Sequence, residues 1–172
     1  MISKTLVPVI LVALAGCTTI PEGGEAAAGE VAAIRFSTSP CFGFCPDFTV
    51  QVPQEGLAGY EGRRFVAEKG FHDFAVSPTE FAAFRARLEP FRPEQSVRYD
   101  YENCDGPVAT DSPSVVVTWT MVDGDEVTLD WYMGCRQPGL SDKAEEIYGA
   151  WDELPLDELV GTEQDRSVYE DF

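Results

Sequence analysis

The chain has 172 residues, 44% of them hydrophobic, enough for one domain with a real core. Its 12 Lys and Arg stand against 30 Asp and Glu, a formal charge of −18 at pH 7. That balance excludes nucleic acid and anionic membrane surfaces as partners, because both are held by Lys/Arg clusters. The acidity reads first as a solubility feature, and second as a patch for a basic partner or divalent cations.

The N-terminus reads as a processing signal. Lys4 gives a short basic start, an apolar run covers Thr5 to Ala13, and Leu14-Ala15-Gly16-Cys17 follows. The run is too short to span a bilayer and has the layout of a secretory signal peptide. "LAGC" resembles the bacterial lipoprotein signal, in which the cysteine becomes the lipidated N-terminus. The resemblance implies residues 1–16 as signal peptide, lipidation of Cys17 and a membrane partner through that anchor. Thr18 stands where an Asp would favour the inner membrane, so outer membrane facing the periplasm is the expected location. Loss of residues 1–16 leaves 156 residues and removes one cation, Lys4, and no acid, so −18 becomes −19.

Residues 17–30 form the lipidated cysteine and a tether, "TTIPEGGEAAAGE", rich in Ala, Gly and Glu and free of aromatics. The folded domain is expected over 31–160. Ile34 and Phe36 mark a first short strand, and Phe48, Val50 and Val52 alternate with Asp47, Thr49 and Gln51 in a second. "EGLAGYEGRRFVAEKG" reads as two short strands punctuated by glycines.

Ser77, Pro78 and Glu80 then supply an N-cap, a first helical position and a capping box. Phe81, Phe84, Leu88 and Phe91 continue as one apolar stripe, ended by Pro90 and Pro93. A loop runs to Pro113. "SVVVTWTMVDGDEVTLDWYMG" follows as a hairpin, with Asp123-Gly124 as its two-residue turn. A second helix is expected from Ser141, carrying Ala144, Ile147, Trp151 and Leu154 on one face and closed by Pro155. Residues 161–172 are acidic and are expected to form a frayed tail. The expected fold is a single α+β domain: a mainly antiparallel sheet of about five or six strands with two helices on one face.

With Cys17 lipidated, Cys41, Cys45, Cys104 and Cys135 remain, an even count in an exported chain and three possible pairings. The two-residue turn would place Cys135 across from Ser112, eight residues beyond Cys104. Cys104–Cys135 is then easy to close, and Cys41–Cys45 is what remains. Loop entropy does not choose: the 32-residue loop contributes ~3.7 kcal/mol, the five-residue loop ~2, and a long crossed pair about 4. Gly43 permits the backbone reversal that a four-residue spacing needs, and Pro46 releases the chain into the next strand.

A working dithiol is the alternative. Cys41-x3-Cys45-Pro46 looks like the motif of the Sco-type copper chaperones, which implies two thiolates and a distant histidine holding copper. That family places its motif before a helix, whereas "DFTVQV" reads as a strand, and the one histidine, His72, lies between aromatics. No Lys or Arg lies between Arg35 and Gln51 to lower a thiol pKa.

The loop "YDYENCDGPVATD" fits an EF-hand at Asn103, Asp105 and Gly106 but puts Tyr101 and Ser112 at its carboxylate ends. A serine or cysteine triad would have to run through His72, and G-x-S-x-G and H-E-x-x-H are absent. Trp119, Trp131 and Trp151 lie on apolar faces and read as core. No catalytic residue, metal site or cofactor is implied.

"SPCFGFCPDFTVQV", "GLAGYEG", "SPTEF" and "TDSPSVVVTW" together resemble a bacterial domain family of unknown function, often exported, with a Cys-Phe-Gly-x-Cys-Pro signature. The likeness covers most of residues 31–155, and Phe44 departs from the small or hydroxyl residue expected at its position. It implies a fold and a habitat and no activity. The reading that emerges is a non-enzymatic, lipid-anchored periplasmic module held by two disulfides. Phe42, Gly43 and Phe44 are its candidate contact with an envelope protein partner.

Overall fold

The computed structural model describes residues 29–162. The readings of residues 1–28, Cys17 among them, and of most of the acidic tail lie outside the described residues.

In chain order, β1 (Val31–Thr38), β2 (Asp47–Pro53), β3 (Leu57–Arg64) and β4 (Gly70–Ala75) precede α1 (Pro78–Leu88). Then come β5 (Val97–Tyr99), β6 (Ser114–Met121), β7 (Glu126–Tyr132), α2 (Ala144–Tyr148) and α3 (Asp157–Val160). The strands form one seven-stranded sheet in the order β4-β3-β2-β1-β6-β7-β5. All neighbours are antiparallel except β5 and β7.

Period-two alternation sorts the sheet into two faces. Ile34 and Phe36 on β1 lie across from Val52 and Val50 on one side, and from Trp119 and Val117 on the other. Val117 and Val115 face Leu129 and Trp131. All of these are buried, and α1 covers them with Phe81, Phe84 and Leu88. Phe84 meets Phe36 edge-on at 6.0 Å, and Trp151 meets Phe48 edge-on at 5.7 Å. The opposite face carries Arg35, Ser37, Thr49, Gln51, Thr118 and Thr128, with hydroxyl pairs Ser37–Thr49 and Thr118–Thr128 each at 2.9 Å.

Several expectations need correction. The sheet has seven strands, not five or six, because β5 forms inside the stretch read as loop. Its three residues pair parallel to Leu129–Trp131, a ladder too short to leave a period in the sequence. The segment 55–70 holds a single eight-residue strand, β3, and its partner β4 begins only at Gly70.

The second helix is broken. Ser141–Lys143 and Gly149–Glu153 are 3-10 turns flanking a five-residue α2, and α3 follows Pro155. Gly149 sits under Arg87, whose guanidinium would lie 2.9 Å from an added Cβ and donates to the Glu145 and Glu146 carbonyls.

The β6–β7 turn is also one residue longer than expected. The Met121 N–H donates to the Asp125 carbonyl and the Gly124 N–H to the Met121 carbonyl, so Val122, Asp123 and Gly124 form the loop, with Gly124 at φ 92°. This is the three-residue hairpin with a left-handed glycine.

Candidate functional site

The segment between β1 and β2, Ser39–Pro46, reverses within eight residues and is closed by the Cys41–Cys45 disulfide. Gly43 at its apex has φ 141°, a conformation that disfavours any side chain even though an added Cβ would meet only the Cys41 sulfur, at an ordinary contact of 3.8 Å. The expectation of a bridge across this turn is met.

The turn is clamped on every side. At its base the Thr38 hydroxyl donates to the Pro46 carbonyl at 2.6 Å and accepts from the Phe48 N–H. Ser39 and Ser114 exchange two bonds: the Ser39 N–H to the Ser114 carbonyl, and the Ser114 N–H to the Ser39 hydroxyl at 2.7 Å. Arg63 reaches in from β3, donating to Asp47 at 2.7 Å, to the Thr49 hydroxyl at 2.9 Å and to the Thr38 carbonyl at 3.2 Å. Asp47 is itself buried while the Arg63 side chain stays partly exposed, so the ion pair is only partly shielded from water and its direction comes from the hydrogen bonds. The sequence offers no cation near the cysteines in chain order. The sheet supplies one by register, and its bonds go to a carboxylate and a carbonyl.

Two further supports are strained. Among the described residues, Phe65 (φ 53°) and Asp111 (φ 66°) are the non-glycine residues in the left-handed region. Such backbone costs of order 1–3 kcal/mol each and persists where the surroundings over-determine it. Both serve the same turn. The Phe65 ring takes Phe44 edge-on at 5.9 Å and lies under the Arg64 guanidinium, 5.0 Å from the ring centroid. The Asp111 carbonyl accepts the Phe42 N–H at 3.0 Å.

The three proposed contact residues therefore divide. Phe42 is 90% exposed and Gly43 is exposed beside it. Phe44 turns back onto Phe65 and is an internal support for the turn rather than a free contact. Arg63, Asp47, Phe65 and Asp111 carry no signal in the sequence, because their roles depend on which strands become neighbours.

The second disulfide fixes the loop that holds the first. Cys104–Cys135 ties the 100–113 loop to the end of β7, where Cys135 is fully buried. A bridge between Val108 and Cys135 and bonds from Ala109 N–H to Gly134 and from Arg136 N–H to Pro107 extend the seam. Gln137, buried, accepts from the Asp105 N–H and donates to the Asp105 carboxylate at 2.7 Å. The Tyr132 hydroxyl donates to Ala109, and Tyr101 stacks on the Tyr132 ring at 4.8 Å. The Asp100 carboxylate accepts from the backbone of Glu102 and Asn103, and the Glu102 bond chiefly holds its pKa below the ordinary aspartate value. These acids build turns.

His72 lies on β4, 6.1 Å from the Tyr60 ring, with its Nε2 against the Lys69 carbonyl. Among the described residues no three His, Cys, Asp or Glu side chains are grouped to share a metal ion. Trp119 and Trp131 are core, whereas Trp151 is only half-buried.

A family described as a domain of unknown function, DUF6438, matches residues 32–154. The chain belongs to this family. The matched span of this DUF6438 domain takes in both disulfides and runs from β1 to the 3-10 turn before α3. No curated protein and no solved structure matches the chain.

Proposed function

We propose that this DUF6438 protein is a non-enzymatic binding module of the bacterial envelope, anchored by lipid at Cys17 and facing the periplasm from the outer membrane. The disulfide-closed turn at Cys41–Cys45 presents Phe42 to a protein partner. Residues 18–30 act as the tether between the anchor and the domain.

The observation that carries this reading is the convergence of strain on one exposed side chain. Both left-handed non-glycine residues of the described chain support the Cys41–Cys45 turn, and that turn offers a phenylalanine to solvent. An exposed aromatic on a pre-ordered loop loses little entropy on binding, which is what a contact residue needs. Stability alone would not favour two strained residues around a solvent-facing ring.

The test is photocrosslinking in cells from a reactive amino acid placed at Phe42, with Val122 on the distant hairpin turn as control. One discrete adduct from position 42, lost in Cys41→Ala/Cys45→Ala, is the expected result. The same diffuse pattern from both positions contradicts it. For the anchor, Cys17→Ser should move the protein from the membrane fraction to the soluble periplasm.

A further inference from the structure

Among the described residues β4 pairs with β3 on one side and with no strand on the other, so there a row of its main-chain N–H and C=O groups lacks a strand partner. The opposite sheet edge, β5, is three residues long, and a short edge strand discourages further pairing. β4 is six residues long, contains no proline and carries Phe71 83% exposed.

A hollow lies beside this edge on each face of the sheet. On the open face, about 220 Å³ is bounded by Phe71 and Asp73 of β4, with Arg35, Gln51, Gly59 and Glu61 behind them. On the helical face, about 520 Å³ is bounded by His72, Asp73, Phe74 and the segment Pro155–Leu159. Among the described residues the helical-face hollow carries the acids Asp157 and Glu158 and no Lys or Arg, whereas the Asp73 side chain, like Phe71, alternates to the open face. On the open face one cation, Arg35, faces Glu61 and Asp73, and Phe71 supplies the apolar wall.

An extended segment laid along β4 would continue the sheet, and its side chains would alternate between the two faces. Main-chain bonds then give affinity, and the two hollows give specificity at alternate positions. We infer that the β4 edge takes a basic, extended segment of a partner protein as an eighth strand. Lys or Arg side chains on one face meet Asp157 and Glu158, and apolar side chains on the other lie against Phe71.

Charge separates this occupant from the others. The chain's own residues 163–172 hold four carboxylates and one Arg, and residues 18–30 hold three Glu and no Lys or Arg. A second copy brings the same net charge of −18, and antiparallel pairing centred on Asp73 would set that carboxylate against itself. This site is separate from the Cys41–Cys45 turn and does not depend on it.

The test uses the full chain in non-ionic detergent and the capped hexapeptide Lys-Val-Lys-Thr-Lys-Val, with anisotropy for affinity and backbone amide shifts for location. Saturable binding with shifts along 70–75 and at 157–158 is expected. Affinity should fall at least tenfold when Lys is replaced by Glu, or when alternate peptide amides on the bonding edge are N-methylated. Asp157→Asn/Glu158→Gln should weaken binding at least fivefold, and Phe42→Ala should leave it unchanged. Absent binding, equal binding of the N-methylated peptide, or shifts remote from β4 would overturn the inference. So would binding that appears only after removal of residues 163–172, or β4 shifts that grow with protein concentration in the absence of peptide. The N-methyl comparison stands even if the double variant folds poorly.

Discussion

The indole N–H of Trp131 donates to the carbonyl of Cys135 at 3.0 Å, inside the domain. The residue that ends the β6–β7 hairpin is thus locked to the core by its main chain and to the 100–113 loop by its sulfur. Loss of the Cys104–Cys135 bridge releases a 32-residue loop, which by chain entropy is worth ~3.7 kcal/mol, whereas the five-residue Cys41–Cys45 loop is worth ~2. Urea unfolding should rank Cys104→Ala/Cys135→Ala well below Cys41→Ala/Cys45→Ala in stability. Equal losses would mean that the entropy of the unfolded chain does not set the ranking.

Tyr60 places its hydroxyl between the carbonyls of Glu68 and Leu159, at 3.2 and 3.1 Å. Leu159 also accepts from the Glu68 N–H, and Val160 accepts from Ala67, so this phenol helps pin the β3–β4 loop to α3. Tyr60→Phe should cost ~1 kcal/mol, mainly from the Glu68 carbonyl left without its donor, and amide exchange should quicken at Ala67 and Glu68. Unchanged exchange would remove Tyr60 from that role.

Burial raises the Tyr60 pKa well above the ordinary tyrosine range; nearby Arg63 opposes the shift and Glu68 adds to it. A raised folded pKa means stability that is complete below the unfolded value, about 10, and lost as pH rises through the folded one. In an alkaline absorbance titration, the Tyr60 phenolate should appear only with unfolding. Ionisation of all six tyrosines before any loss of structure would contradict this.

Ser77 and Glu80 form a reciprocal capping box: the Ser77 N–H donates to Glu80 at 2.7 Å, and the Glu80 N–H to the Ser77 hydroxyl at 3.2 Å. The backbone bond from Ser77, then its side chain, holds the Glu80 pKa below the ordinary glutamate value. The associated stability is present above the unfolded pKa and fades as pH falls through the folded one. Ser77→Ala should destabilise α1 by ~1 kcal/mol and move the Glu80 titration, followed by carboxyl NMR, upwards. An unmoved titration would show that the hydroxyl adds nothing to the backbone bond, which the alanine variant keeps.

The capping box was fully legible in the sequence because all its parts lie within four residues. The hairpin register was legible too, once the apolar positions are weighed. Val115, Val117, Trp119, Val127, Leu129 and Trp131 are all odd-numbered, and like faces meet only if paired numbers sum to an even value. The observed sum is 246, as in Val117↔Leu129, whereas a two-residue turn demands 247 and would set Val117 against Asp130. The face pattern outranks the Asp-Gly turn signal. The bridge from Cys104 to Cys135 survives the shift because both lie beyond the strand ends.

The clamp around Cys41–Cys45 was not legible. Arg63, Phe65 and Asp111 reach the turn from segments 18 or more residues downstream of Cys45, and only the strand order brings them there. No local periodicity encodes a left-handed Phe65, a bulky type that rarely adopts that conformation, and Asp111 is one of many aspartates of a type only enriched there.

The proposed role of Cys41–Cys45 is that of a staple presenting Phe42, not of a working dithiol. Its most direct test is intact mass after thiol alkylation of protein recovered from its proposed periplasmic location and held in glutathione buffer. The account predicts that Cys41, Cys45, Cys104 and Cys135 all remain unalkylated. Ready alkylation of Cys41 and Cys45, or one Cu(I) bound per chain and lost in Cys45→Ser, would contradict it.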